Sequence, residues 1–208
     1  MNRLTNNLMR NGYLKSDYVI EAFANVNRIE FVPRDLELQA DIDMPLPIGY
    51  GQTISQPTTV AIMLELLDPR PGQKILDVGS GSGWTTALLS YIVGEKGKVI
   101  ALERIKDLCD WGRKNVDKMG FVRRGIAEFY NLDGSEGHKA RSPYDRILAS
   151  AAANEVPQSL KDQLKIGGKL VMPVRNYLYY AEKKGEKEFY EEKYPGFAFV
   201  PLVKKSNN

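Results

Sequence analysis

The stretch KILDVGSGSGW, residues 74–84, constrains this chain more than any other. Apolar Ile75, Leu76 and Val78 flank Asp77 in a run short enough for a buried strand. Glycines 79, 81 and 83 follow, and Trp84, Ala87 and Leu88 then begin the apolar face of a helix. Strand, glycine-rich turn and helix make the first half of a nucleotide-binding βαβ unit. Glycine suits the turn because a side chain would hold the backbone away from a ligand, and because tight turns often need φ > 0. The spacing is G-x-G-x-G, and Trp84 stands where a dinucleotide fingerprint needs its third glycine. A compact adenosyl ligand is therefore favoured over a pyrophosphate cofactor, with S-adenosylmethionine the leading candidate. The competing reading is a tight strand-to-helix connection that binds nothing.

The pattern downstream alternates in a way that supports the first reading. Strand 98–103 leads to a helix near 105–119 that stops at Gly120, and a weaker strand lies near 126–130. A polar loop precedes a strand at 144–149, then come a helix near 157–165, a Gly167-Gly168 turn and strand 169–174. Strands alternating with helices imply a mostly parallel α/β sheet with right-handed crossovers. The β-rich end (YLYYAE, a turn at KKGEK, EFYEEK, FAFVPL) adds antiparallel strands at one edge. Lys183, Lys184 and Lys187 alternate with Glu182, Glu186 and Glu188 there, a pattern expected of a solvated hairpin.

Ahead of the glycine turn, two helical segments separated by Asn11-Gly12 form an N-terminal cap, with Ser16 as the expected N-cap of the second. Residues 31–57 are proline-rich and show no sustained period, yet Phe31, Val32, Leu46, Ile48 and Tyr50 argue against disorder. Pro57 suits the first turn of a helix whose stripe is Val60, Met63, Leu64 and Leu67. The 208 residues accommodate one α/β domain, with 1–56 as cap and substrate loop and 57–208 as cofactor-binding core and C-terminal strands. A net charge of +3 with interspersed signs gives no footprint for nucleic acid. No run approaches the roughly 20 apolar residues of a membrane span, and no signal-peptide pattern opens the chain, so the expected location is the cytoplasm. One cysteine, Cys109, and one histidine, His138, argue against a zinc cluster or a histidine-based triad.

Four sites could carry chemistry. Glu103 ends the second strand 20 residues after Gly83, placed either to accept from the ribose hydroxyls or to cap the next helix. Asp133-Gly134 follows the third strand and reads equally as an adenine contact or as a turn. Ser55 is either a helix-cap serine or a hydroxyl donor to a substrate oxygen. Asp77, in an apolar strand, must have partners, being either an acceptor for turn amides or a group facing the methionine amine of the cofactor.

The chain resembles the protein-L-isoaspartate O-methyltransferases over nearly its whole length. The resemblance rests on FVP at 31–33, LPIGYGQTISQP at 46–57, ILDVGSGSGW at 75–84, IALER at 100–104 and LDG at 132–134. It continues through SPYDRI at 142–147, AAANEVP at 151–157, QLKIGGKLVMPV at 163–174 and FVPL at 199–202. GYGQTISQP is the specific element, since unrelated methyltransferases share the glycine turn alone. The resemblance implies a Rossmann-like class I methyltransferase with a doubly wound sheet, S-adenosylmethionine as methyl donor, and repair of isoaspartyl residues in damaged proteins or peptides. It implies Ser55 as the active-site serine, with Ile54 and Gln56 beside it on the substrate. On the cofactor side it implies Asp77, Gly79, Ser80, Gly81, Glu103, Asp133 and Gly134, and no metal. Leu132, Arg175 and Ala198 depart from the family pattern, the first in its GDG and the second in its PVG.

A carboxylate acceptor ionises near about pH 4, so methyl transfer to it needs no general base. Positioning and exclusion of water would then do the work. The alternatives are a same-fold methyltransferase for another carboxylate or small molecule, and a cofactor-binding protein without turnover. Expected partners are isoaspartyl proteins or peptides, with neither nucleic acid nor membrane, and the expected state is a monomer.

Overall fold

The computed structural model describes residues 2–197 and 199. Helices α1 (Arg3–Arg10) and α2 (Asp17–Asn25) open the chain, followed by two 3₁₀ turns over Arg28–Phe31 and Arg34–Gln39. The aperiodic segment then contains a hairpin not apparent from periodicity, β1 (Leu46–Gly49) and β2 (Gln52–Ile54), pairing Leu46 with Ile54 and Pro47 with Thr53. β1 alternates buried and exposed residues over only four positions, too few to stand out as a period, and Pro47 is a residue that reads against a strand. Helix α3 (Pro57–Leu67) starts on its proline and buries the four expected stripe residues.

Ser16 stands at the start of α2, but its hydroxyl does not cap the helix; it donates to Glu65 Oε2 on α3 at 2.6 Å. The Lys15 and Ser16 amides donate to Glu65 Oε1, at 2.8 and 3.0 Å. A carboxylate from α3 thus holds the backbone just ahead of α2, and ties the N-terminal cap to the rest of the molecule.

The remaining elements are β3 (Lys74–Val78), α4 (Trp84–Val93), β4 (Lys98–Leu102), α5 (Lys106–Lys118) and β5 (Ala127–Tyr130). After them come β6 (Tyr144–Ala149), α6 (Gln158–Asp162), β7 (Leu164–Val174), β8 (Tyr177–Lys183) and β9 (Phe189–Pro195). The sheet order is β5-β4-β3-β6-β7-β8-β9. The first five strands are parallel and β8 and β9 antiparallel, as expected of an α/β sheet with a C-terminal antiparallel edge.

Two expectations need correction. The helix near 157–165 ends at Asp162, because β7 already begins at Leu164 and runs through Gly167-Gly168 as a bulge, with two steps along β6 matched by five along β7. Lys183 is not solvated: it is 9% exposed, and its ammonium donates to the Leu164 carbonyl at 2.9 Å beside the Phe189 ring. Of the expected last strand, 197–202, only Phe197 and Phe199 lie within the described residues.

Alternate strand residues feed two cores. Ile75, Val99, Leu148, Val171 and Leu178 face the side packed by α1 to α5, whereas Leu76, Ile100, Ile147, Leu170 and Met172 face the side closed by α6 and its neighbours. Register then sets the site. Val78 pairs with Leu102 on one side and Ala149 on the other, so three strands end level. Because β3 lies between β4 and β6, this is the point at which strand order reverses, where an open α/β sheet forms its ligand crevice.

Candidate active site

A cavity of about 390 Å³ opens at those strand ends, between the glycine turn and the β1–β2 hairpin. Gly79, Ser80, Gly81 and Glu103 line one part of it, with Asp133 and Gly134. Ile54 and Ser55 line it as well, so the glycine turn and the GYGQTISQP segment, far apart in sequence, share one space. Gln56 and Asp77 do not line it. Gln56 donates instead to Asp43 Oδ2 at 3.2 Å, and Asp77 is fully buried in β3.

The donor side is built from the turn outward. Gly83 has φ +91, and a Cβ there would come within 2.8 Å of both the Gly112 carbonyl and Val116 of α5, so helix packing demands glycine at this position. A Cβ on Gly81 would stand 3.1 Å from Ile48 Cδ1 and begin to fill the cradle. Glu103, 8% exposed, accepts from the Gly81 amide at 2.9 Å through Oε2 and from the Ile105 amide at 2.9 Å through Oε1. Both readings of this residue are thus realised in part: it meets the start of α5 and faces the cavity. Asp133 accepts from the Ser135 amide at 3.0 Å, and a Cβ on Gly134 would lie 2.4 Å from Val78 Cγ1, so this pair turns the chain against β3.

The partners of Asp77 are not turn amides. Its Oδ2 accepts from the hydroxyls of Thr85 and Thr86, in the first turn of α4, at 2.9 and 2.6 Å. Burial pushes its carboxyl up to about 6, against the hydrogen bonds of Thr86 and Thr85, with Glu103 adding to the rise.

The acceptor side is held by a residue that local sequence patterns did not single out. Arg28, 2% exposed, donates through Nη1 to the carbonyls of Ala40 (2.9 Å) and Ile42 (3.4 Å). Its Nη2 donates to those of Met44 (2.9 Å) and Ser55 (3.1 Å). The guanidinium lies 5.3 Å from the Trp84 ring centroid, and Trp84 packs edge-on against Phe23. Burial lowers the Arg28 pKa to about 10, partly countered by Asp43 and Asp41, so the group stays charged at neutral pH. The available signal was a cation between Val26 and Phe31, two residues that proved buried. Asp43 completes the fastening by accepting from the amide and hydroxyl of Thr58 (2.8 and 2.6 Å) at the start of α3. Over the mouth, the Tyr50 hydroxyl donates to Asp107 Oδ2 at 2.5 Å.

Two departures from the family pattern, Leu132 and Arg175, are not among the residues that line this cavity. Leu132 is 41% exposed, and Arg175 adopts φ 53 at the β7–β8 turn, with Nε donating to the Asn154 carbonyl at 3.1 Å. Arg175 thus occupies the backbone conformation that the glycine of PVG would adopt more readily. Ala198 lies outside the described residues.

The donor set fits an adenosyl sulfonium with a free amine and carboxylate. Glu103 offers a carboxylate at the cavity wall, and Ser80, 5% exposed, lines the cavity with a buried hydroxyl that has no hydrogen-bond partner among the described residues. Asp77 Oδ1, two residues before Gly79, is likewise buried and without a hydrogen-bond partner among the described residues. Among the described residues, no group of His, Cys, Asp and Glu could hold a metal, and no helix is long and apolar enough to cross a membrane.

The level strand ends, glycine cradle and carboxylate after β4 define an S-adenosylmethionine-dependent methyltransferase of the Rossmann-like class. Comparison narrows this. The chain matches the protein-L-isoaspartate(D-aspartate) O-methyltransferase family over residues 1–207 and belongs to it. A protein-L-isoaspartate O-methyltransferase of Methanopyrus kandleri is 48% identical over 205 residues, covering 97% of this chain and 90% of that protein. One from Methanothermobacter thermautotrophicus is 41% identical over 98% of this chain and 94% of its own length. Among solved structures, a beta-aspartate methyltransferase of Plasmodium falciparum in complex with S-adenosyl-L-homocysteine superposes with TM-score 0.84 at 27% identity, over 97% of each chain.

Proposed function

We propose that this chain methylates the free carboxylate of L-isoaspartyl residues in damaged proteins or peptides, acting as one methyltransferase domain over residues 1–208. The observation that carries this reading is the shared cavity, which is lined both by Ser55 of the family-specific segment and by the glycine turn. S-adenosylmethionine, when bound, supplies an electrophilic methyl group. Glu103 accepts from the ribose hydroxyls, and Asp133-Gly134 border the adenine. Gly79, Ser80 and Gly81 let the backbone approach the ligand, and the unpaired oxygen of Asp77 acts on its amine from below. Ile54 and Ser55 hold the acceptor carboxylate, with the Ser55 hydroxyl donating to it, while Gln56 acts indirectly through Asp43.

The acceptor is already an anion, so the site needs no base. Its residues orient one oxygen toward the methyl donor and exclude water, which favours a step in which opposite charges cancel. The same proposal takes the protein to be a cytoplasmic monomer that engages neither nucleic acid nor membrane; its charges, +3 overall, are interspersed along the chain. The test is incubation with labelled S-adenosylmethionine and an isoaspartyl peptide beside its normal aspartyl twin. A base-labile methyl ester on the isoaspartyl peptide alone is expected. Labelling of neither peptide, or of both equally, overturns the reading.

A further inference from the structure

Arg28 does not itself line the cavity, but its guanidinium touches two residues that do, the Ser55 carbonyl at 3.1 Å and the Trp84 ring. We infer that Arg28 is the positioning residue of the acceptor side, a clasp that gathers the segment 40–44 and the carbonyl of Ser55 onto one guanidinium and so fixes where the Ser55 hydroxyl points. The inference rests on the proposed role of Ser55.

Three observations carry it. First, the four acceptors of Arg28 are all backbone carbonyls, drawn from residues 40, 42, 44 and 55. None of these bonds is internal to a helix or sheet, so the ordering of this irregular stretch depends on a side chain. Second, Nη2 bridges Met44 and Ser55, at 2.9 and 3.1 Å, the two ends of the segment that contains the β1–β2 hairpin. One planar fork closes that loop at its neck. Third, the guanidinium rests against Trp84, the first residue of α4 and a wall of the cavity, so the neck is registered against the glycine turn that receives the donor. Asp43 fastens the same segment to α3 through Thr58 and adds favourable charge beside Arg28. A buried arginine with such geometry is poorly replaced by lysine, whose ammonium lacks the planar fork.

The experiment compares wild type with Arg28→Lys and Arg28→Met in the isoaspartyl-peptide assay, in calorimetric titration with S-adenosylhomocysteine, and in amide hydrogen exchange. Arg28→Lys is expected to lower kcat/KM at least tenfold while the S-adenosylhomocysteine Kd changes less than threefold. Exchange should accelerate across residues 40–56 and keep its wild-type rate in β3, β4 and β6. Arg28→Met should show the same pattern more strongly; if it does not fold, the lysine variant decides. Retention of kcat/KM within twofold by Arg28→Lys overturns the inference. So does a loss of S-adenosylhomocysteine affinity in step with activity, exchange that accelerates throughout the sheet, or failure of the lysine variant itself to fold. If wild type methylates no isoaspartyl peptide, the functional reading falls, while hydrogen exchange still decides whether Arg28 orders the segment.

Discussion

The Gly81 amide and the Glu103 carboxylate meet at 2.9 Å across the ends of β3 and β4. One contact thus joins the glycine turn to the acidic residue that closes the next strand, and their 22-residue separation is spanned by a helix and the parallel pairing of Val78 with Leu102. Glu103 enters the cavity with its orientation already set by two backbone amides.

Glu103→Gln should therefore weaken cofactor binding. Loss of a charged acceptor costs roughly 1.5–3 kcal/mol, equivalent to a roughly 10- to 150-fold rise in the Kd for S-adenosylhomocysteine. Calorimetric titration reads this directly, and an unchanged Kd would show that Glu103 serves the turn alone.

Ser55→Ala separates the two halves of the site. With one positioned hydrogen bond to the acceptor gone, kcat should fall roughly 5- to 100-fold. The Kd for S-adenosylhomocysteine should stay within about twofold, since no donor-side contact of Ser55 is involved. A parallel loss of cofactor affinity would make Ser55 a structural residue of the loop.

Gly83→Ala tests the packing of α4 on α5. A Cβ would sit 2.8 Å from the Gly112 carbonyl, in a backbone region with φ +91. Strain and overpacking together should cost roughly 2–4 kcal/mol of unfolding free energy, measured by denaturant titration. A loss below about 0.5 kcal/mol, within the range of ordinary surface substitutions, would mean that the helices separate easily.

Asp77 should leave a signature in the pH dependence of stability. Its folded carboxyl is raised from 3.8 to about 6 by burial, so the folded state binds the proton more tightly than the unfolded state. The resulting stability is complete below about pH 3.8 and is lost as pH rises through about 6. Relative to Asp77→Asn, wild type should lose roughly 3 kcal/mol across that window. Urea titrations at pH 4 and pH 7.5 check the sign; a difference that grows in favour of wild type at higher pH would contradict it.

Much of this architecture was readable from residue order alone. The strand at 74–78 and the one at 144–149 fall where apolar runs put them, because strands buried on both faces leave continuous hydrophobic signatures. Glycines 79 and 81 marked the cradle, whereas Gly83 is required by the packing of α4 on α5. What escaped was non-local. Glu65 holds Ser16, ahead of α2, from a distance of 49 residues, and Asp43 caps α3 from outside that helix. Arg28 bonds to carbonyls that share no period with it. The β1–β2 hairpin was hidden by its length, and α6 was overestimated because the bulge at Gly167-Gly168 belongs to a strand rather than a turn.

The cavity's two walls come from separate stretches of chain, the β1–β2 hairpin with its neighbouring residues on one side and the ends of β3, β4 and β6 on the other. The parallel strands would keep their order and register if residues 40–56 were exchanged for another segment anchored by an arginine and an aspartate. Changing what such a protein modifies is then a grafting problem confined to one early insert, with the nucleoside-binding wall kept as a constant chassis.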